Sequence, residues 1–208
     1  MFPQILNDVF YGVFPQILND ASYGVFPTDI NVPTKIIDKM KFKNHKQYRL
    51  PECDYSGPGN YFITINTFQK KKYFGDIIQT EDGIIQQLSE PGEAAAYIWK
   101  KIPIKFPNVM LDDFIVMPDH IHGIIMLQQL KTPVIKHNTC LHPLVKNSVS
   151  SIINHYKGAV KMWCNTNGYK DFKWQSRFYD RVIRDDVEFY FIQEYIKNNP
   201  TEWCWNMQ

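Results

Sequence analysis

The alternation of hydrophobic and polar positions predicts a globular unit that begins near Tyr55. Residues 61–67 (YFITINT) alternate with β-branched and aromatic side chains, which predicts a strand after the turn-forming SGPG. Two more apolar segments, 111–117 and 120–127, predict strands that Pro118-Asp119 separates. A further strand is expected within 174–184, and the basic segment QKKKYFG at 69–75 predicts a hairpin tip or a strand edge.

Three segments have the pattern of helices. Residues 91–102 begin with a proline and end with lysines, and residues 186–198 form a last helix that Pro200 is expected to stop. In 147–164, apolar side chains recur at helical spacing, and we interpret 128–146, which lacks a clear period, as a loop. Since few βαβ units are evident, this order predicts an α+β fold with a mostly antiparallel sheet.

The first 48 residues differ from the rest of the chain. FPQILND occurs at 2–8 and again at 14–20, and YGVFP occurs at 11–15 and again at 23–27. Such short units cannot build a stacked core, so we predict that residues 1–48 form a repetitive, poorly ordered tail, with a docking peptide as the alternative. Residues 49–208 are then one domain. The basic stretch at 35–49 is either solvated or follows phosphates.

Composition narrows the class of protein. The 208 residues are 44% hydrophobic, which is ample for one core, and the four cysteines lack the CxxC spacing of a zinc ribbon. The net charge of +2 argues against a uniformly basic DNA-binding domain, although 177–184 and 70–72 are locally basic. No apolar run reaches the roughly 18 residues of a membrane span, and the N-terminus lacks a signal peptide's basic region. We therefore expect a cytoplasmic protein.

The chemistry begins with His120 and His122 in the second apolar strand. Because side chains alternate along a strand, both imidazoles lie on one face with Cα atoms about 7 Å apart, close enough to bind one divalent cation. The alternative is a chance pair on a sheet surface. Asn199 in the last helix offers an amide oxygen as a third ligand, and Tyr195 lies one turn before it on the same face. Core packing is the alternative for Tyr195.

Four segments carry a resemblance to a known family. They are VMPDHIHGII at 116–125, WQSRFYDRVIR at 174–184, EYIKNNPTEW at 194–203 and, upstream, DYSGPGNYFITI at 54–65. Together and in this order they resemble the REP-associated tyrosine transposase branch of the IS200-like single-tyrosine HUH transposases. The resemblance extends from about residue 49 to residue 203, and the N-terminal repeat has no counterpart in it.

The resemblance implies a ferredoxin-like (RRM-like) antiparallel sheet with helices packed on one face and the HUH motif on a strand. It makes His120 and His122 metal ligands for Mg²⁺ or Mn²⁺, with Asn199 where other branches place a glutamine. Tyr195 is the implied nucleophile, and Tyr179 is a second choice. The implied activity is nicking and strand transfer of single-stranded DNA at hairpins through a 5′-phosphotyrosine, by a homodimer.

Basic and aromatic side chains near these motifs are candidates for DNA contact. Lys70, Lys71 and Lys72 are weaker candidates for phosphate contacts, and Phe178, Tyr179 and Trp203 for base stacking; burial is the alternative for each aromatic residue. Two other functions stay open: a catalytically silent module or repressor that binds hairpin nucleic acid, and a replication-initiator-like HUH nuclease. The preferred DNA-binding residues are Arg177, Arg181, Arg184, Lys157, Lys161 and Trp174.

Overall fold

The computed structural model of the chain describes residues 57–81, 83–129 and 147–205. The predicted tail at 1–48 and most of the predicted loop at 128–146 lie outside these ranges. Among the helices described, none combines the length and the apolar character that crossing a membrane requires.

The fold is α+β, and the strands predicted at 61–67, 111–117 and 120–127 and the helices predicted at 91–102 and 147–164 lie within about two residues of their predicted bounds. The strands at 75–80 and 83–88 were not predicted. A short 3₁₀ turn, Phe68–Lys70, follows the first strand, so the segment at 69–75 is not itself a hairpin tip. The elements in chain order are β1 Gly59–Asn66, β2 Gly75–Thr80, β3 Gly83–Leu88, α1 Glu90–Lys100, α2 Ile102–Lys105, β4 Val109–Val116, β5 His120–Leu127, α3 Val149–Thr166, β6 Tyr179–Ile183 and α4 Asp186–Trp205.

Four strands form the main antiparallel sheet in the order β4-β5-β1-β6. The chain passes through β1, α1, β4, β5, α3 and β6 in turn, which is the βαββαβ order of a ferredoxin-like fold. The predicted fold class is therefore confirmed. Strands β2 and β3 pair with each other as a separate hairpin inserted between β1 and α1.

The main core lies between the sheet and the two crossover helices. Ser148 begins α3 by accepting a hydrogen bond from the Ser151 amide at 3.2 Å, and the apolar face that follows is buried. Trp99 of α1 meets Tyr156 of α3 edge to face, with 5.2 Å between ring centroids. The Tyr156 hydroxyl donates to the Ala95 carbonyl at 3.0 Å, so its polar end is satisfied inside the core.

Helix α4 packs on the opposite face of the sheet. Ile192 and Ile196 are almost fully buried there against Phe62 of β1 and Ile124 of β5. Strand β5 is central in the sheet, and all but one of its residues are buried, because helices cover both of its faces. The crossover helices thus lie on one face, as predicted, and α4 forms a third layer that covers the face with the histidines.

The prediction that Pro200 stops the last helix is wrong. Helix α4 continues through Pro200 to Trp205. A proline inside a helix removes one backbone donor and costs about 3 kcal/mol, but burial of Ile192, Ile196 and Asn199 against the sheet opposes that cost. Asn199 therefore lies inside the helix.

Gly123 of β5 offers a test of this packing. A Cβ there would clash with the Trp99 indole and would lie 3.0 Å from Phe114 Cβ, so we expect Gly123→Ala to lower the free energy of unfolding by about 1–3 kcal/mol. Gly158→Ala in α3 is the matched control, because its Cβ meets no atom within 4 Å. The control should gain about 0.5–1 kcal/mol from its lower backbone entropy when unfolded. Urea unfolding measures both, and equal stability of the two variants would contradict this packing.

Candidate active site

The two histidines of β5 lie side by side on the face that α4 covers. Their ring centroids are 4.5 Å apart, and His120 and His122 are only 7% and 4% exposed. Ile121 between them points to the other face and is fully buried in the main core. The strand therefore fixes both imidazoles in one small, nearly dry space.

Asp119 selects the tautomer of His120. Its Oδ1 lies 2.5 Å from Nδ1 of His120, and the carboxylate is itself buried. Because a carboxylate only accepts hydrogen bonds, Nδ1 carries the proton and donates it. In the neutral ring, the lone pair of Nε2 is then free to bind a cation, which is the usual arrangement behind a metal-binding histidine.

His122 lies between two hydroxyls. Its Nδ1 shares a 2.9 Å hydrogen bond with Oγ1 of Thr64, which the β1–β5 register places directly opposite, and its Nε2 lies 3.4 Å from the Tyr195 hydroxyl. Burial, with a smaller effect from the charges of His120 and Lys70, holds the pKa of His122 well below its ordinary value. The imidazole is therefore neutral near pH 7, the form that binds metals.

Tyr195 reaches the histidine pair from α4. Its ring lies 5.3 Å from that of His122 and meets Phe62 edge-on at 6.0 Å. Burial raises the pKa of Tyr195, a hydrogen bond from Asn199 lowers it, and the charge of Glu202 raises it further, with a net upward shift. The phenol is thus protonated at neutral pH unless another charge stabilises the phenolate.

These side chains fit a divalent cation. With its proton on Nδ1, His120 has an unprotonated Nε2, and His122 has one in the tautomer that donates to Thr64, where the Tyr195 hydroxyl lies 3.4 Å away. The buried Asn199, which hydrogen-bonds to Tyr195, carries an amide oxygen. Within residues 57–81, 83–129 and 147–205, no group of three or more His, Cys, Asp or Glu side chains forms a metal cluster, so a cation here would need a ligand of another type, such as an amide oxygen. Imidazole nitrogen suits Mn²⁺ better than Mg²⁺, which prefers oxygen.

The other predicted tyrosine lies farther from the histidines. Tyr179 in β6 pairs with Thr64, which in turn pairs with His122, so Tyr179 is two strands away from His122. Its side chain packs against the cluster under α4. The tyrosine that contacts the histidine pair is Tyr195.

Two of the predicted DNA-binding lysines are engaged inside the protein. A role for Lys157 in DNA contact requires an exposed ammonium, but the residue is only 9% exposed, and its ammonium donates to the Gln175 carbonyl at 2.6 Å. The prediction of DNA contact by Lys157 is therefore wrong, because the segment before β6 folds back over α3 and covers this lysine. Lys161 is half-buried and donates to the Phe172 carbonyl.

The remaining predicted DNA-binding residues divide between the core and the surface. Trp174 is half-buried, donates from Nε1 to the Lys157 carbonyl at 3.0 Å, and packs against the main core. Arg177 and Arg184 are exposed, whereas Arg181 is partly exposed and pairs with Glu188. Within this set, the arginines are thus the groups that a nucleic acid can reach.

Asp119 and Thr64 beside the histidines, and Glu202 near Tyr195, have no role in the sequence-based predictions. Asp119 lies in the motif directly before His120, so its position alone could have indicated it. Thr64 could be found only with the β1–β5 register, and Glu202 only once α4 was known to continue past Pro200. Lys70 lies 3.9 Å from Asp119 across a turn that the hydrophobic pattern did not predict.

Known proteins resemble this chain in sequence and in fold. No protein-family model matches it. An uncharacterized protein of Haemophilus influenzae is 34% identical over 172 residues, which cover 77% of this chain and 90% of that protein. The chain belongs to the family of that protein.

A solved transposase structure resembles this chain in fold. A REP-associated tyrosine transposase bound to a REP hairpin matches with a TM-score of 0.50 and 21% identity, over 77% of this chain and 76% of that one. The two proteins share a fold, as the sequence resemblance implied. A candidate transposase of Deinococcus radiodurans matches more weakly, with a TM-score of 0.41 and 15% identity over 72% of this chain and 97% of that one.

The neutral state of His122 predicts a pH dependence of stability in metal-free protein. Because burial lowers the pKa of His122, this imidazole stays neutral in the folded protein at pH values below about 6.5, where it binds a proton in the unfolded chain. Stability should therefore fall as the pH drops, with His122 contributing a loss of about 1 kcal/mol between pH 8 and 5.5.

Urea unfolding in EDTA at several pH values measures this effect. His122→Asn should flatten the acid side of the profile, whereas His155→Asn on the exposed face of α3 should change it much less. A steep profile that persists in His122→Asn would contradict the assignment.

Proposed function

We propose that the protein is a transposase that nicks and rejoins single-stranded DNA at hairpin-bearing sequences, with Tyr195 as the nucleophile. The observation that carries the proposal is the Tyr195 hydroxyl, 3.4 Å from Nε2 of His122 beside the histidine pair. The shared fold with a transposase that binds a REP hairpin supports the choice of substrate.

The proposed chemistry is a transesterification. The Tyr195 oxygen forms a bond to phosphorus while the bond from phosphorus to the 3′ oxygen breaks. The phenol loses its proton and the 3′ oxygen gains one, which leaves a 5′-phosphotyrosine and a free 3′-OH. The covalent link retains the energy of the phosphodiester, so the 3′-OH of a second strand can reseal the DNA without ATP.

Asn199 has two roles in this proposal. Its amide N–H stabilises the phenolate of Tyr195, since their hydrogen bond lowers the pKa of that tyrosine against the effect of burial. Its amide oxygen, with Nε2 of His120 and Nε2 of His122, would hold a divalent ion. That ion would supply Lewis-acid stabilisation of charge on the phosphate oxygens.

Arg177, Arg181 and Arg184 belong to the proposed DNA surface, whereas the buried Lys157 does not. A homodimer is also part of the proposal. Since one chain supplies both the histidine pair and Tyr195, pairing of two chains would serve to hold two DNA ends rather than to complete a site.

Tyr195→Phe tests the nucleophile. With a labelled hairpin-bearing single strand and Mn²⁺, we expect the native protein to form a covalent adduct that survives denaturing electrophoresis. Tyr195→Phe should form none, because the attacking oxygen is absent, while Tyr179→Phe should retain the adduct as the matched control. EDTA should abolish it. Binding without cleavage by the native protein would favour the silent binding module, and an adduct in Tyr195→Phe would overturn the assignment.

Asp119→Asn tests the proposed ion site without relying on cleavage. The substitution removes the charge that polarises His120, and losses of this kind weaken metal affinity by roughly 10- to 100-fold. Titration of Mn²⁺ by calorimetry or electron paramagnetic resonance measures the affinity. Asp171→Asn is the control, because that carboxylate is exposed and pairs with Lys71. Equal affinity in all three proteins would contradict a site at the histidine pair.

A further inference from the structure

Two partly exposed lysines and a tryptophan lie at the edge of the histidine pair. We call Lys70, Lys72 and Trp203 the lysine–tryptophan rim. The Lys70 ammonium lies 3.9 Å from one oxygen of Asp119, whose other oxygen hydrogen-bonds to His120. The Trp203 ring packs against the ring of His120 at a tilt. The rim is therefore continuous with the candidate active site but distinct from the residues proposed to act on the scissile bond.

The turn that presents Lys70 is strained and firmly held. Gln69 and Lys70 have φ values of 55° and 56°, in the left-handed region that residues other than glycine rarely adopt. Thr67 ties this turn to the start of β5. Its amide donates to the Asp119 carbonyl at 2.9 Å, and its hydroxyl lies 2.7 Å from the Lys71 carbonyl and 2.9 Å from that of Asp119. Such strain persists only where the surroundings fix it, and it is typical of functional sites.

The three consecutive lysines of this turn are not equivalent. Lys71 pairs with Asp171, and that hydrogen bond raises its pKa. Lys70 lies 3.9 Å from Asp119 and Lys72 lies 4.0 Å from Asp76, both beyond hydrogen-bond distance. Their side chains are 58% and 43% exposed, and neither ammonium donates to a residue that the structure describes. Their N–H groups therefore remain available to an anion.

Trp203 adds an aromatic face to these cations. Its ring centroid lies 5.9 Å from that of His120 at an angle of 41°, and the Lys72 ammonium lies 5.8 Å from the indole ring. The residue is half-exposed in the last turns of α4, beyond Pro200. A partly exposed indole beside free ammonium groups is the combination by which proteins bind single strands, through base stacking and phosphate contacts.

We infer that the lysine–tryptophan rim is a subsite for one nucleotide of single-stranded DNA next to the cleaved bond. Lys70 and Lys72 contact its phosphate, and Trp203 stacks on its base. The inference rests on the proposed function, because it assigns the rim to the strand that the site cleaves.

Binding in EDTA tests the rim separately from cleavage. Fluorescence anisotropy would follow a labelled hairpin with a single-stranded flank across several salt concentrations. We expect Lys70→Ala and Lys72→Ala each to weaken binding several-fold and to reduce the slope of log affinity against log salt by roughly 0.7, as loss of one phosphate contact on a single strand predicts. Trp203→Ala should weaken binding about 5- to 100-fold, and Trp203→Phe should restore most of it.

Two controls make the result specific. Lys105→Ala removes an exposed lysine from α2, which packs on the opposite face of the sheet, and it should bind like the native protein. On a hairpin without the single-stranded flank, the rim variants should bind as tightly as the native protein, because that ligand offers no unpaired nucleotide to the rim.

The outcomes also separate the rim from the proposed function. If the native protein cleaves with Mn²⁺ but the rim variants bind the flanked hairpin like Lys105→Ala, the rim is overturned and the proposed function stands. If the native protein does not cleave but the rim variants lose affinity only for the flanked ligand, the subsite stands without the proposed reaction. Circular dichroism would verify that each variant is folded.

Discussion

The pairing of β1 with β5 is the constraint on which the candidate site depends. Eight residues of each strand pair without a bulge, which sets Thr64 opposite His122. Because side chains alternate along a strand, a slip of one residue in the placement of β5 would turn the two histidines into the main core and Ile121 out of it. Helices cover both faces of β5, so the buried isoleucines around the motif oppose such a slip. The same contacts that stabilise the sheet therefore also fix the positions of both imidazoles.

The histidine face acquires its chemistry only when α4 packs on it. Two polar contacts attach α4 to the bulged edge strand β4: Gln193 donates to Asp112 at 2.6 Å, and Lys197 lies 3.6 Å from Asp113. This attachment brings Tyr195 to His122 and shields both from water. The shielding keeps the imidazole neutral and the phenol protonated, because burial penalises the charged form of each group. Burial thus favours the neutral form of His122 that a metal would require but opposes the phenolate of Tyr195, so the proposed nucleophile would depend on Asn199 and on added positive charge.

The distribution of charge explains why a net charge of +2 gave little guidance. Several basic side chains already have partners within the protein. Lys157 donates hydrogen bonds to backbone carbonyls, Lys71 pairs with Asp171, and Arg181 pairs with Glu188. What matters for a nucleic acid is which cations keep exposed donors near the site. Formal charge summed over the chain contains no information about that, because it counts a buried and an exposed lysine equally.

The sequence by itself determined the elements whose causes are local. Strand alternation placed His120 and His122 on one face, and helical spacing placed Tyr195 and Asn199 one turn apart, since both periods are properties of the backbone. The tertiary structure decided what surrounds them. Strand register places the hydroxyl of Thr64 beside His122. Packing against the sheet lets α4 continue past Pro200, and a segment that folds back over α3 buries Lys157. Those outcomes depend on contacts between residues distant in sequence, which a local pattern cannot contain.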